Sequence, residues 1–135
     1  MKIVITGGGG FIGFKLAKAL LARGAIAGPD SAAQKITRLT LVDQAFPDLP
    51  KDARLEALAG DISDPQFAAR AITADTASVF HLAAVVSGAA EADFDLGMRV
   101  NLKGIRNVLE RSRRCARPRR KCVAPARARC ACLAG

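Results

Sequence analysis

A glycine-rich turn between a short apolar strand and an amphipathic helix constrains the fold of this chain more than any other feature. Residues 2–6 (KIVIT) form a β-branched apolar run, which is typical of a strand buried in a parallel sheet. Residues 11–23 place apolar side chains along one side, which predicts a helix. Gly7, Gly10 and Gly13 mark the junction with the spacing G-x-x-G-x-x-G. In this context the spacing is typical of a dinucleotide-binding site.

Each glycine of this turn has a predicted task. Gly7 allows the sharp turn off the strand, where a Cβ would clash. Gly10 lets the backbone approach a pyrophosphate, and Gly13 lets the helix pack closely on the sheet. The first amides of the helix have no partners within the helix, and the helix dipole favours an anion there. The alternative, a glycine-rich turn that binds nothing, is disfavoured by the strand before it and the helix after it.

Charge divides the chain near residue 111. The net charge is +9, although residues 1–110 contain 12 Lys/Arg and 12 Asp/Glu. Residues 111–135 contain nine Lys/Arg, no acidic residue and all four cysteines. We therefore predict a domain over residues 1–110 and an Arg/Ala/Cys-rich tail over residues 111–135, and we interpret the tail as a frameshift product or a disordered segment.

Strand and helix patterns alternate along residues 1–110, which predicts an α/β fold with a parallel sheet covered by helices on both faces. No apolar run approaches the roughly 20 residues of a membrane span. The N-terminus lacks a secretory signal pattern, so we expect a cytoplasmic protein without a membrane partner. Further strands are predicted at 38–42, 54–58 and 78–83, a loop at 24–35, a helix starting at Asp64-Pro65, and a long helix over 94–111.

Asp43 is a second candidate site residue, because it follows the strand at 38–42. A carboxylate there can accept hydrogen bonds from both ribose hydroxyls of an adenosine. It would also repel a 2′-phosphate, which favours NAD over NADP. The separation from Gly13 exceeds the usual spacing of about 20 residues, and the loop at 24–35 explains the excess. The alternative is an ordinary aspartate in a turn.

Asp61 follows the strand at 54–58 and is a weaker candidate. Its carboxylate could meet an adenine amino group, with Ile62 packing on the ring. Taken alone, Asp61 is better explained as a capping residue in the turn that leads to Pro65.

Residues 1–110 resemble the extended short-chain dehydrogenase/reductase family, in particular its NAD-dependent epimerase/dehydratase group. The resemblance implies NAD as the cofactor and a truncated Rossmann-like doubly wound parallel sheet, with the strand order 3-2-1-4 of its N-terminal half. It also implies that the full-length parent is a homodimer acting on a small sugar acid. The similarity rests on TGGGGFIG at 6–13, LVD at 41–43, GDISD at 60–64, VFHLAA at 79–84 and VNLKGIRNVLE at 100–110.

The resemblance implies cofactor-binding roles for residues at the end of each strand and on the long helix, whereas His81 corresponds to a packed strand residue. The pyrophosphate lies on the glycine turn, the adenosine beside the aspartates, and the nicotinamide near the strand at 78–83. The implied set is Gly7, Gly10, Phe11, Ile12, Gly13, Asp43, Asp61, Ile62, Leu82, Ala83, Ala84, Ser87 and Asn101.

No tyrosine is present in the 135 residues. Members of the resembled family transfer a hydride with a Tyr-x-x-x-Lys pair, in which the phenol moves the alcohol proton. We therefore predict no catalytic residue and no activity for this chain. The implied parent reaction is the oxidation of a secondary alcohol on a small sugar acid such as D-erythronate. Two alternatives remain open: a fragment of a nucleotide-sugar epimerase, and a non-catalytic NAD-binding module with a basic interaction tail.

The tail itself predicts neither a metal site nor a nucleic-acid partner. Its cysteine spacing lacks the paired knuckles of zinc sites. The clustered arginines could neutralise phosphates, but they lack aromatic residues for base stacking, so a nucleic-acid partner is not expected. We expect the strand at 78–83 to present an open edge, with residues 122–124 as a poor substitute for a neighbouring strand.

Overall fold

The computed structural model describes residues 1–28, 32–115 and 121–123. Its centre is a parallel sheet with the order β5-β4-β1-β6-β7, and β2 and β3 form a separate antiparallel hairpin. The strands are β1 (Lys2–Thr6), β2 (Ala25–Ala27), β3 (Ala33–Lys35), β4 (Arg38–Asp43), β5 (Leu55–Ala59), β6 (Thr76–His81) and β7 (Lys121–Val123). The helices are α1 (Phe11–Arg23), α2 (Pro65–Ala71), α3 (Ser87–Ala92), α4 (Phe94–Gly97) and α5 (Ile105–Cys115), with a π-helical segment (Met98–Gly104) between α4 and α5.

The predicted α/β fold and strand order are confirmed. The expected order 3-2-1-4 corresponds to β5-β4-β1-β6, and all neighbouring pairs among these strands are parallel. The bounds predicted for β1 and α1 are those observed. The predicted loop at 24–35 was wrong in part, because it contains the β2–β3 hairpin. The long helix predicted over 94–111 is a run of three segments that continues to Cys115.

Both faces of the sheet are covered, which explains why all of β1 is buried. Val4 faces the side of α2 and α5, where it belongs to one apolar core with Val108. Ile3 and Ile5 face the opposite side, where they pack in a second core with Leu20 of α1. Such strands, buried on both faces, are typical of doubly wound α/β sheets. The glycine turn between β1 and α1 is therefore held between two packed elements.

The outer edge of β6 is partly covered by β7. Ser78, Val79 and Phe80 lie opposite residues 121–123 in parallel register. Residues 122 and 123 therefore occupy the position that the sequence suggested for them, while Ala124 lies outside the described residues. The interpretation of the tail as a frameshift product or disordered segment also falls largely on residues 116–120 and 124–135, which lie outside the described part.

The buried ring of His81 links β6 to the end of β1. His81 is 3% exposed, and its Nδ1 lies 2.6 Å from Oγ1 of Thr6. The Leu82 N–H donates to the same Oγ1 at 3.2 Å and to the Thr6 carbonyl oxygen at 3.0 Å. Burial lowers the pKa of His81 below its ordinary value near 6.5. The ring is therefore a neutral packing residue, as its position in the strand predicted.

His81 should make the folded chain acid-sensitive. Because its folded pKa is lowered, the unfolded state binds the proton first as the pH falls. The free energy of unfolding should then decrease below about pH 6.5, with a slope of at most about 1.4 kcal/mol per pH unit. Urea unfolding between pH 5 and 7 measures this slope. His81 is the single histidine of the chain, so His81→Asn should remove most of the slope and leave only the part near pH 5 that comes from carboxylates with lowered pKa, such as Glu110. An unchanged slope in that variant would contradict the assignment.

Candidate functional site

A cleft of about 530 Å³ opens where the chain leaves the carboxyl ends of β5, β4, β1 and β6. Ligands of open α/β sheets bind at this edge, where the connections diverge to opposite sides. The lining comes from the turns after these four strands and from the helical run. It comprises Gly7, Gly9, Gly10, Val42, Asp43, Gln44, Ala45, Gly60, Asp61, Ile62, Leu82, Ala83, Ala84, Val85, Leu96 and Val100.

Most of the predicted cofactor-binding residues line this cleft. The structure brings together Gly7, Gly10, Asp43, Asp61, Ile62, Leu82, Ala83 and Ala84. Phe11, Ile12, Gly13 and Asn101 lie outside the lining. The prediction for Ser87 concerns a side chain that lies outside the described part of the structure, although its backbone begins α3.

The glycine turn shows which glycines the protein's own packing requires. Gly7 has φ +72°, and a Cβ on it would lie 2.7 Å from the Ala83 nitrogen. A Cβ on Gly13 would overlap the carbonyl oxygen of Gly7. A Cβ on Gly10, in contrast, would meet the same oxygen at 3.4 Å, which is an ordinary contact. The described residues therefore leave room for a Cβ at Gly10, so packing within the chain does not by itself require glycine at this position.

The start of α1 is suited to an anion. Its N-cap Gly10 is extended, and no described side chain caps the first turn, which also contains no acidic residue. The first amides are therefore available to a negatively charged group. Phe11 and Ile12 lie in this turn with 72% and 61% exposure. The Lys15 ammonium lies 4.1 Å from the centre of the Phe11 ring and adds positive charge to the same end of the helix.

The Asp43 carboxylate is held between the glycine turn and the end of β4. Its Oδ2 accepts a hydrogen bond from the Gly9 N–H at 2.9 Å, and its Oδ1 accepts one from the Gln44 N–H at 2.8 Å. A Cβ on Gly9 would overlap the Ala45 carbonyl oxygen, so this position also requires glycine. Each carboxylate oxygen has a second lone pair that can accept from a ligand hydroxyl.

Asp61 and Ile62 contribute to both the cleft and the local structure. Asp61 Oδ1 accepts from the Ser63 N–H at 2.8 Å, which is the turn interaction expected as the alternative for this residue. Asp64 then caps α2 by accepting from the Gln66 N–H. Ile62 lines the cleft but is only 4% exposed, because most of its side chain belongs to the core on the α2 side.

Asn101 contacts the cleft through the backbone of another residue. The Val85 N–H donates to its Oδ1 at 2.8 Å, and its Nδ2 donates to the Val85 carbonyl at 3.0 Å. Val85 itself lines the cleft. The described contacts of the Asn101 amide are thus with the loop after β6.

Several residues that line the cleft were not predicted from the sequence. Gln44 and Ala45 directly follow Asp43, and position after a buried strand would have indicated them. Leu96 and Val100 lie four positions apart on the helical run, a spacing that indicates one helix face. Gly9 stands within the run of four glycines, whose internal positions the motif does not distinguish.

The charges at the cleft agree with anion binding by backbone rather than by cations. The ionisable side chains in its lining are the carboxylates of Asp43 and Asp61.

Within the described ranges, no group of three His, Cys, Asp or Glu residues is arranged to hold a metal ion. None of the described helices is long and apolar enough to cross a membrane.

Known proteins resemble this chain over the same region. Residues 4–118 match the 3-beta hydroxysteroid dehydrogenase/isomerase family. D-erythronate dehydrogenase of Cupriavidus necator is 54% identical over 113 residues, which cover 84% of this chain and 35% of that enzyme. This chain therefore spans about a third of the length of the curated relatives it matches.

Solved structures give the same picture. The nucleoside-diphosphate-sugar epimerase of Agrobacterium tumefaciens has a TM-score of 0.73 and 36% identity, over 84% of this chain and 32% of that one. UDP-glucose 4-epimerase of Thermus thermophilus, solved as a complex with NAD, has a TM-score of 0.68 and 30% identity, over 85% of this chain and 34% of that one.

Substitution by alanine should affect stability differently at Gly13 and at Gly10. Gly13→Ala forces a Cβ against the backbone of Gly7 and should lower the free energy of unfolding by about 2–3 kcal/mol. Gly10→Ala meets ordinary contact distances and should cost less than about 1 kcal/mol. Urea unfolding of both variants measures the difference, and equal losses would contradict the packing described for the turn.

Proposed function

Because this chain belongs to the 3-beta hydroxysteroid dehydrogenase/isomerase family, within the NAD-dependent epimerase/dehydratase group of short-chain dehydrogenases/reductases, we propose that residues 1–110 bind NAD. One observation carries the proposal: the Gly9 N–H donates to Asp43 Oδ2 at 2.9 Å. The contact supports the proposal, because it holds a carboxylate that could accept hydrogen bonds from ribose hydroxyls beside a turn suited to a pyrophosphate. The NAD complex of the T. thermophilus epimerase supports the choice of cofactor.

Each part of NAD has a counterpart in the cleft. The pyrophosphate would bind the first amides of α1, next to Gly10. Gly7 and Gly13 would allow the turn to pack closely, and Phe11 and Ile12 would contribute backbone groups to the pyrophosphate site. The adenosine would lie on the side of β4 and β5, with its ribose on Asp43 and its base near Asp61 and Ile62. The nicotinamide end would lie on the side of β6, along Leu82, Ala83 and Ala84, with Ser87 and Asn101 nearby. When bound, NAD supplies the carbon that accepts a hydride.

The parent reaction in this proposal is oxidation of a secondary alcohol on a small sugar acid such as D-erythronate. The 54% identity to the C. necator enzyme supports it. The 36% identity to the A. tumefaciens epimerase supports the second candidate, a nucleotide-sugar epimerase that uses the same cofactor half-site. We favour the dehydrogenase, because the sequence identity to the C. necator enzyme is higher than the identity to the A. tumefaciens epimerase.

The domain organisation, location and assembly remain parts of the proposal. Residues 1–110 would form the NAD-binding half-domain and residues 111–135 a basic tail, although α5 runs across that boundary to Cys115. A non-catalytic module with an interacting tail is the alternative, which the nine basic residues of the tail favour. A cytoplasmic location follows from the proposed metabolic role. A homodimeric full-length parent is part of the same proposal.

The wild-type chain should bind NAD at least about tenfold more tightly than NADP, because the Asp43 carboxylate repels the added phosphate. Calorimetric titration with both cofactors measures the ratio. Asp43→Asn keeps the shape of the side chain and removes its charge, so it should reduce the ratio of the NAD affinity to the NADP affinity. Gly10→Val should block the approach of the pyrophosphate to the turn and serves as the non-binding control. Equal affinity of the wild-type chain for NAD and NADP would remove Asp43 from the site.

The chain alone should not reduce NAD in the presence of D-erythronate. Its 135 residues contain no tyrosine to move the alcohol proton. Absorbance at the NADH band measures turnover, with the full-length C. necator enzyme as the positive control. NADH formation above the blank, from protein free of host enzymes, would overturn this expectation.

A further inference from the structure

One side chain of α5 reaches the loop at the β5 end of the cleft. Asn107 Nδ2 donates to the Ile62 carbonyl at 3.1 Å and to the Ser63 carbonyl at 2.8 Å. Both carbonyls belong to the loop between β5 and α2, whose Asp61 and Ile62 line the cleft. Asn107 itself is absent from the cleft lining and contacts it only through this backbone.

Other polar groups of this loop already have partners, within the loop or on β4, where the Asp43 carbonyl accepts from the Gly60 N–H at 2.9 Å. Asp61 Oδ1 accepts from Ser63 N–H, and the Asp61 carbonyl accepts from Asp64 N–H. The Ile62 and Ser63 carbonyls point instead to the helix, where one amide satisfies both. The helix can come this close because Gly104 lacks a side chain, since its Cβ would lie 3.1 Å from Ile62 Cγ2.

The same helical run holds the opposite end of the cleft. Asn101 bonds to both backbone groups of Val85, in the loop after β6. Asn101 and Asn107 are six positions apart, and the end of the π-helical segment lies between them. The run therefore ties two loops that line opposite sides of the glycine turn, one with each asparagine.

We propose that Asn107 is a positioning residue for the adenosine end of the cleft, with Asn101 as its counterpart at the other end. This inference rests on the proposed NAD function. Asn107 does not touch the cofactor; it holds the loop that carries Asp61 and Ile62 in the place where the adenosine binds. Substitution of Asn107 should therefore weaken the binding of any ligand that contains an adenosine. Substitution of Asn101 should weaken the binding only of a ligand that reaches the β6 side.

Titrations of AMP and NAD separate the two roles. Asn107→Leu keeps the branching of the side chain at Cγ and removes both N–H donors, so it should weaken the binding of AMP and of NAD alike, each by roughly fivefold. Asn101→Leu, the matched control on the same helical run, should weaken NAD while leaving AMP within about twofold. A role in general stability would not produce this division. Unchanged AMP binding in Asn107→Leu, or an equal loss of AMP binding in both variants, would overturn this inference and leave the proposed NAD binding standing.

If Asn107→Leu does not fold, a measurement on the wild-type chain tests the positioning role of Asn107. Side-chain amide hydrogen exchange, followed by NMR, should slow at Asn107 when AMP binds and stay unchanged at Asn101. Equal changes at both amides, or none, would overturn the inference. If the wild-type chain binds neither AMP nor NAD, the proposed function fails, and the inference fails with it.

Discussion

The close packing of the glycine turn on the end of β6 is the constraint on which the site depends. Gly7 leaves β1 in a left-handed conformation and lies against the Leu82–Ala83 backbone, with no space for a Cβ. Gly13 in turn packs on the Gly7 carbonyl. These contacts bring the start of α1 to the edge where β4, β5 and β6 also end. The amides that can meet an anion are therefore placed by backbone contacts rather than by any charged side chain.

The same junction explains the polar atoms in an apolar core. Thr6 precedes Gly7, and its hydroxyl oxygen accepts from Leu82 N–H while lying 2.6 Å from His81 Nδ1. The contact gives partners to the buried Thr6 hydroxyl and the buried His81 ring nitrogen, while the Leu82 N–H also donates to the Thr6 carbonyl at 3.0 Å. The buried imidazole directly precedes Leu82, which lines the cleft.

The features predicted from sequence are those set by local pattern. The bounds of β1 and α1 follow from apolar period and glycine punctuation, and Asp43 follows from its position after a buried strand. The β2–β3 hairpin was missed because three-residue strands carry no measurable period; contacts such as Ile36 N–H to the Gly24 carbonyl set it in place. The π-helical segment was missed because seven residues do not separate its period from that of an α-helix. The partners of Asn101 and Asn107 lie 16 and 44–45 residues away in sequence, so only the tertiary structure identifies them.

The π-helical segment has a consequence for how this part of the chain can change through evolution. A π-helical turn holds about one residue more than an α-helical turn, so Met98–Gly104 can lose one residue by returning to α-helical winding. Insertion of a residue into α5 before Asn107 would instead rotate that side chain by about 100° away from its two carbonyls. Many single substitutions on the exposed side of the run would leave that geometry intact. The run between Asn101 and Asn107 should therefore tolerate the loss of one residue better than the gain of one. Among its residues Gly104 is constrained by its contact with Ile62, whereas Leu102 and Lys103 are exposed and can vary.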